Sequence, residues 1–232
     1  MREIALKGDI WNNDDADILR FCGWRDIVCP LDIEKELSIA DGDDVTILIN
    51  SRGGDMMSGN EIKAMLRNYG GKTIARYMGY GASSATLVAA GCQIIQSEPG
   101  ALLCYHNPSS DNGGDYQAHQ NIAESLQNAR DCALESYLAH PGCASREKLI
   151  ELMDKDIFIS PTKAKDEYGL IDEILPGIVP ESDTGTLVAA AGLRLLITAD
   201  MRKRYADHKA EESQDQLKAR RALSRIRSLA SY

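Results

Sequence analysis

Val45-Thr46-Ile47-Leu48-Ile49-Asn50-Ser51-Arg52-Gly53-Gly54 is the stretch on which the fold turns. Its continuous apolar and β-branched run suits a strand buried on both faces, as in a parallel sheet. The abrupt polar and glycine ending marks the strand's C-terminal edge. Met57 to Tyr69 follows with helical spacing and stops at Gly70-Gly71. The same order recurs downstream. Lys72 to Met78 reads as a strand, Gly79 to Ser84 as a tight small-residue turn, and Ala85 to Ala90 as a buried helix ending at Gly91. Cys92 to Gln96 and Leu102 to Tyr105 read as short strands. Asp115 to His140, Arg146 to Met153 and Thr162 to Tyr168 read as helices, and Ile171 to Leu175 as a last strand. Upstream, Glu3 to Ile10 alternates as a strand does. Trp11 to Asp17 suits a turn or helix start, and Ile27 to Leu37 carries helical spacing with Pro30 at its edge. Alternating strands and helices over about 170 residues predict an α/β fold with parallel pairing.

The chain has 232 residues, 44% hydrophobic and 26% charged, which is one domain with an appendage or two small ones. No apolar run reaches the roughly 18 residues of a membrane span, and no apolar signal core opens the chain. The expectation is a soluble, cytoplasmic protein. Residues 1–179 carry a net charge of −12 and residues 180–232 a net charge of +3. An acidic main body disfavours nucleic-acid binding, which needs clustered Lys and Arg. The six cysteines show no C-x-x-C pair and no zinc spacing, so they read as reduced, buried small hydrophobes. Residues 180–186 have linker composition. The expected organisation is a 1–179 domain, a 180–186 linker and a 187–232 helical, basic extension.

Sites in open α/β sheets gather outside the C-terminal ends of strands. Two such endings stand out. Gly53-Gly54 can let a ligand approach the backbone closely and present N–H groups to a phosphate or oxyanion, or it can be an ordinary turn. Ser83 lies between small residues at a strand–helix junction. A nucleophilic serine needs small neighbours and a helix start behind it, but a helix-capping serine fits the same place. The strict G-x-S-x-G elbow is absent. His106 ends a strand and is the best-placed histidine for a base. His119 and His140 read as solvated helix residues, and His208 lies in the charged tail. Asp156 leads into an apolar run and suits the orienting acid, with Asp154 a rival.

Four ordered motifs change the reading. They are Ile49-Asn50-Ser51-Arg52-Gly53-Gly54, Met78 to Gly91, Tyr105-His106-Asn107-Pro108, and Asp156 to Ser160 with Ala164 to Asp172. Over about 130 residues this order resembles the Clp peptidase family of serine proteases (ClpP and its relatives). The resemblance implies a ClpP/crotonase-like superhelix of repeated ββα units. It implies Ser83 as nucleophile, His106 as general base and Asp156 as the orienting acid. Gly54 and Ser84 would supply the oxyanion N–H groups, and Gly53 would line the substrate. It also implies a homo-oligomeric ring, a heptamer or stacked rings, acting on protein or peptide substrates with no metal or other cofactor.

The departures set a finer expectation. The family usually has proline where Arg52 stands, and Met-Gly where Ser84-Ala85 stands. The expected segment for contacting an ATPase ring is missing before the first strand, which puts an ATPase partner in doubt. The form of His106-Asn107-Pro108 and the added tail look more like the head-maturation proteases of tailed phages. Their substrates are scaffold and capsid proteins, and their location is the procapsid. The tail's Lys218, Arg220, Arg221, Arg225 and Arg227, interleaved with Leu217, Leu223, Ile226 and Leu229, suit a basic amphipathic helix, a packing helix or a disordered, self-cleaved extension. Three rivals stay open. One is a crotonase-fold enzyme acting on acyl thioesters. Another is a Ser/Lys peptidase with Lys63 or Lys72 facing Ser83. The third is a ring-forming scaffold with a latent triad, and the housekeeping Clp subunit working with an ATPase remains beside them.

Overall fold

The structure, a computed structural model, describes residues 1–176 and 198–212. The chain divides into two compact units. One comprises Met1–Ala16 and Asp26–Ser182, the other Asp17–Arg25 and Asp183–Tyr232.

The first unit is built on parallel strands. β1 (Arg2–Lys7) is followed across Gly8 by β2 (Asp9–Ile10). Helix α1 (Asn13–Phe21), β3 (Ile27–Val28) and α2 (Pro30–Ala40) come next. Pro30 begins α2, where its missing N–H costs nothing, and the Asp32 carboxylate accepts from the Cys29 N–H at 2.9 Å. β4 (Val45–Ser51) leads to α3 (Met56–Arg67), which Asp55 caps by accepting from Ser58 N at 2.7 Å. Then follow β5 (Thr73–Ala82), α4 (Ser84–Ala89), β6 (Ile94–Ser97), β7 (Leu102–Cys104), α5 (Tyr116–Leu138), α6 (Arg146–Lys155), α7 (Pro161–Asp166) and β8 (Glu173–Ile174). The main sheet runs β1-β4-β5-β6-β8 with β7 paired to β5, and β2 and β3 form a second small sheet. All named pairs are parallel. The inward-facing residues Ile4, Leu6, Ile47, Ile49, Tyr77 and Leu103 are fully buried.

Two expectations are corrected. Gly79 to Ser84 is not a turn: β5 continues to Ala82. Its register against β4 slips from Ile49↔Tyr77 to Ser51↔Gly81, so β5 advances four residues while β4 advances two. Gly81 makes the bulge possible, because the Tyr77 ring folds over it and a Cβ there would lie 2.2 Å from a ring carbon. The slip lets one strand serve two partners: its first half pairs with β6, its end with β7. The predicted helix over Ile27 to Leu37 also begins later, because Ile27–Val28 is a strand and Pro30 sets the helix start.

In the second unit, a helix covers 199–212. Phe21 packs edge-on to Tyr205 at 5.8 Å and against His208 at 4.7 Å, and the Tyr205 hydroxyl donates to Asp17 at 3.2 Å. The expected linker and the basic run from Leu217 to Leu229 lie outside the described residues. Among the described residues, no helix is long and apolar enough to cross a membrane.

Candidate active site

Ser83 occupies the single residue between β5 and α4, with φ +55° and ψ −132°. That conformation is strained for a residue with a Cβ, at about 1–3 kcal/mol, and persists only when its surroundings over-determine it. They do so here. Ser83 N–H donates to the Cys104 carbonyl at 3.0 Å. The Ser83 carbonyl accepts from Thr86 N at 2.9 Å and from Thr86 Oγ1 at 2.6 Å. The Ser83 side chain does not cap α4, so the capping alternative fails on geometry. The hydroxyl is free of the helix, at a partly exposed position.

Gly53 and Gly54 have φ +89° and +145°. A Cβ on Gly53 would lie 2.6 Å from the Ala82 carbonyl, 2.7 Å from Ser83 Cβ and 2.8 Å from Ser84 N. The glycine turn therefore sits in direct contact with the Ser83–Ser84 backbone. Ile10 bonds to both sides of Gly54: its N–H donates to the Gly53 carbonyl and its carbonyl accepts from Asp55 N–H, each at 2.8 Å. In a parallel bridge of this kind, Gly54 directs its own N–H away from β2. Ser84 is the first residue of α4, where N–H groups lack intrahelical acceptors. The Gly54 and Ser84 N–H groups thus have no protein acceptor among the described residues, Ser84 beside Ser83 and Gly54 next to the Gly53 that contacts it.

The candidate base, His106, and the candidate acid, Asp156, arrive on neighbouring segments. Ala82 pairs with Cys104, so His106 follows β7 beside the end of β5. Ile159 exchanges two hydrogen bonds with Leu103, at 2.8 and 3.0 Å, and draws the α6–α7 connection against β7. Asp156 closes α6 in a left-handed conformation (φ +46°, ψ +51°), and its carboxylate lies 3.9 Å from His106 Nδ1. That is an ion-pair distance and about 1 Å longer than a hydrogen bond. Cys104 Sγ lies 3.8 Å from the same oxygen. Burial, then the Asp156 charge, pushes its thiol up to about 12. The rival Asp154 instead accepts from Asn107 Nδ2 at 2.8 Å. The two carboxylates thus face successive residues, Asp156 opposite His106 and Asp154 opposite Asn107.

Other candidates are placed elsewhere. Lys63 Nζ donates to Asn60 at 2.8 Å and to Ser136 at 2.6 Å, and Lys72 precedes the first residue of the ten-residue β5 that ends beside Ser83. Neither geometry supports a Ser/Lys dyad at Ser83. His140 is not a solvated helix residue: its side chain is nearly buried and its Nε2 lies 3.2 Å from Asp172. His119 is exposed, and His208 lies in the second unit. The sequence assigns no individual role to Thr86, and Asn107 enters it only as part of the Tyr105 to Pro108 motif. The signal for Thr86 was its place three residues after Ser83, where a hydroxyl reaches back to a helix-start carbonyl. Among the described residues, no group of three or more His, Cys, Asp or Glu is placed to hold a metal ion.

Residues 34–177 match the Clp protease family. This chain belongs to that family. The proteolytic subunit of the ATP-dependent Clp protease from Chlorokybus atmophyticus is 32% identical over 157 residues, covering 63% of this chain and 67% of that protein. The corresponding subunit from Nephroselmis olivacea is 30% identical over 139 residues, covering 59% and 66%. The chain spans about two thirds of the length of these relatives. A mutant ClpP1 from Listeria monocytogenes shares the fold, with a TM-score of 0.60 over 76% of this chain and 92% of that one, at 21% identity. The Clp protease fold is therefore the α/β architecture seen here, with the Ser83 junction, the glycine turn and the His106 segment on adjoining strand ends.

Proposed function

We propose that this Clp-family protein is a serine endopeptidase in which Ser83, His106 and Asp156 form the catalytic triad. The observation that carries this reading is the strained Ser83 junction, with its uncapped hydroxyl beside the Gly53–Gly54 turn. The chemistry follows from the residues. A peptide carbonyl sits against Ser83, and His106 takes the hydroxyl proton as the oxygen attacks. The N–H groups of Gly54 and Ser84 hold the developing oxyanion, an effect worth about 3 kcal/mol per donor. His106 then protonates the leaving amine, and water hydrolyses the acyl-enzyme. Asp156 holds the imidazole tautomer and stabilises the imidazolium. The His106–Asp156 contact is 3.9 Å, and substrate binding is expected to tighten it. Gly53 lies where a substrate backbone passes the nucleophile.

The active form is a homo-oligomeric ring. The first half of α5, from Tyr116 to about Arg130, is mostly exposed and carries no buried residue. A 23-residue helix that buries only its last turns in its own chain is suited to contact with another copy. The substrates we favour are scaffold and capsid proteins cut during phage head maturation within a procapsid. The His106-Asn107-Pro108 form and the added C-terminal tail support that subgroup. A second reading, a proteolytic subunit serving an ATPase, is favoured by the similarity to proteolytic subunits of ATP-dependent Clp proteases. The purified protein is tested on a fluorogenic peptide, on an unfolded capsid-type protein, and on a stably folded protein with and without a Clp-type ATPase. ATP-independent cleavage of the peptide and the unfolded protein is expected. Cleavage of the folded protein only with ATPase and ATP supports the second reading, and no cleavage in any arm contradicts the endopeptidase assignment.

A further inference from the structure

We propose that Thr86 and Tyr137 are positioning residues for Ser83, acting through a buried chain of hydrogen bonds that ends on the Ser83 carbonyl. The proposal rests on the reading of Ser83 as the nucleophile. Thr86 Oγ1 lies 2.6 Å from the Ser83 carbonyl and 2.7 Å from the Tyr137 hydroxyl. The direction of the chain follows from its chemistry. A carbonyl only accepts, so the single Thr86 hydroxyl proton goes to Ser83, and Thr86 must accept its second bond from Tyr137. Every proton on the path is thereby assigned: Tyr137 O–H to Thr86 Oγ1, and Thr86 O–H to the Ser83 oxygen.

Three observations make the chain more than packing. Thr86 and Tyr137 are 1% and 4% exposed, so water cannot replace either hydroxyl. Ser83 holds a backbone conformation that its own side chain disfavours, and its carbonyl is gripped by both donors of Thr86, the N–H and the hydroxyl. Tyr137 also packs edge-on to Tyr105, with ring centres 5.3 Å apart and planes at 81°. Tyr105 is the residue before His106. One tyrosine of α5 thus touches both halves of the site, the Ser83 junction through Thr86 and the His106 segment through Tyr105. Burial also holds the Tyr137 hydroxyl well above the ordinary tyrosine range, so it remains a donor at alkaline pH.

The test compares wild type with Thr86→Val, Thr86→Ser, Tyr137→Phe and the Thr86→Val/Tyr137→Phe double variant. Fluorophosphonate labelling rate, kcat and KM for a fluorogenic peptide, and thermal unfolding are measured on each full chain. Misplacing a nucleophile by about 1 Å costs about 100-fold, so Thr86→Val should lose about that in kcat and labelling rate while KM moves little. Thr86→Ser keeps the hydroxyl and should retain most of the rate. Tyr137→Phe should lose about 10-fold, because Thr86 stays bonded to Ser83 but is less firmly held. The double variant should be no slower than Thr86→Val, since the two residues act in series. Wild-type labelling in folded Thr86→Val, equal losses in Thr86→Ser, or additive losses in the double variant would each overturn the proposal. If Thr86→Val does not fold, wild-type labelling by Tyr137→Phe overturns it alone. Labelling that persists in Ser83→Ala is a different failure: it removes the reading of the site itself.

Discussion

Gly53 and Ser83 meet at less than a side chain's thickness, and that contact governs what either position tolerates. Gly53→Ala places a Cβ within 3 Å of three backbone or Cβ atoms and also imposes φ +89° on an alanine. Peptidase kcat should fall by about 100-fold through displacement of the two backbone donors. A wild-type kcat in that variant would contradict the placement of the oxyanion site. The thiols give a second residue-scale prediction. Cys92 and Cys104 are raised to about 12, each chiefly by burial, so both stay protonated well past pH 9. Cys132 is exposed. Iodoacetamide at pH 8, read out by peptide mass spectrometry, should modify Cys132 and spare Cys92 and Cys104. Ser83, His106 and Asp156 were legible as candidates because each is a chemically capable residue at a strand or helix end. Thr86 was not, because a threonine inside an apolar helix looks like packing until its acceptor is known.

At the scale of elements, strands were easier to read than the junctions between them. Val45 to Ile49 is buried on both faces, and its apolar run says so. The Gly79 to Ala82 segment carries turn composition yet is strand, because Gly81 admits the Tyr77 ring and Gly79 the Asn50 side chain, and neither serves a chain reversal. Composition reports that a Cβ is absent, not which neighbour excluded it. The same limit hid the role of His140. Its imidazole joins the end of α5 to Asp172, whose other carboxylate oxygen accepts from Ile95 N–H at 2.7 Å. His140→Ala removes one of the two contacts of that carboxylate, which is 40% exposed, and should cost about 1 kcal/mol in urea unfolding. An unchanged urea midpoint would show that the pair does not hold α5 to the sheet.

At the scale of the whole molecule, the account requires more than one copy. The first half of α5 holds no buried residue within its own chain among the described residues. Sedimentation velocity at micromolar concentration should show a ring-sized species, whereas a monomer at all concentrations would contradict ring assembly. The division into a main domain, a linker over 180–186 and an extension over 187–232 is proposed on composition, because most of that region lies outside the described residues. The fold as a whole was legible from alternating strand and helix patterns. Family membership came from the order of four motifs, since no single motif separates a nucleophilic serine from a capping one.

The most direct test of the central claim is fluorophosphonate labelling of the intact chain, with the modified residue located by peptide mass spectrometry. The account predicts a single adduct on Ser83 in wild type, none in Ser83→Ala, and strongly slowed labelling in His106→Ala. An adduct on another residue, or undiminished labelling of Ser83→Ala, would contradict it.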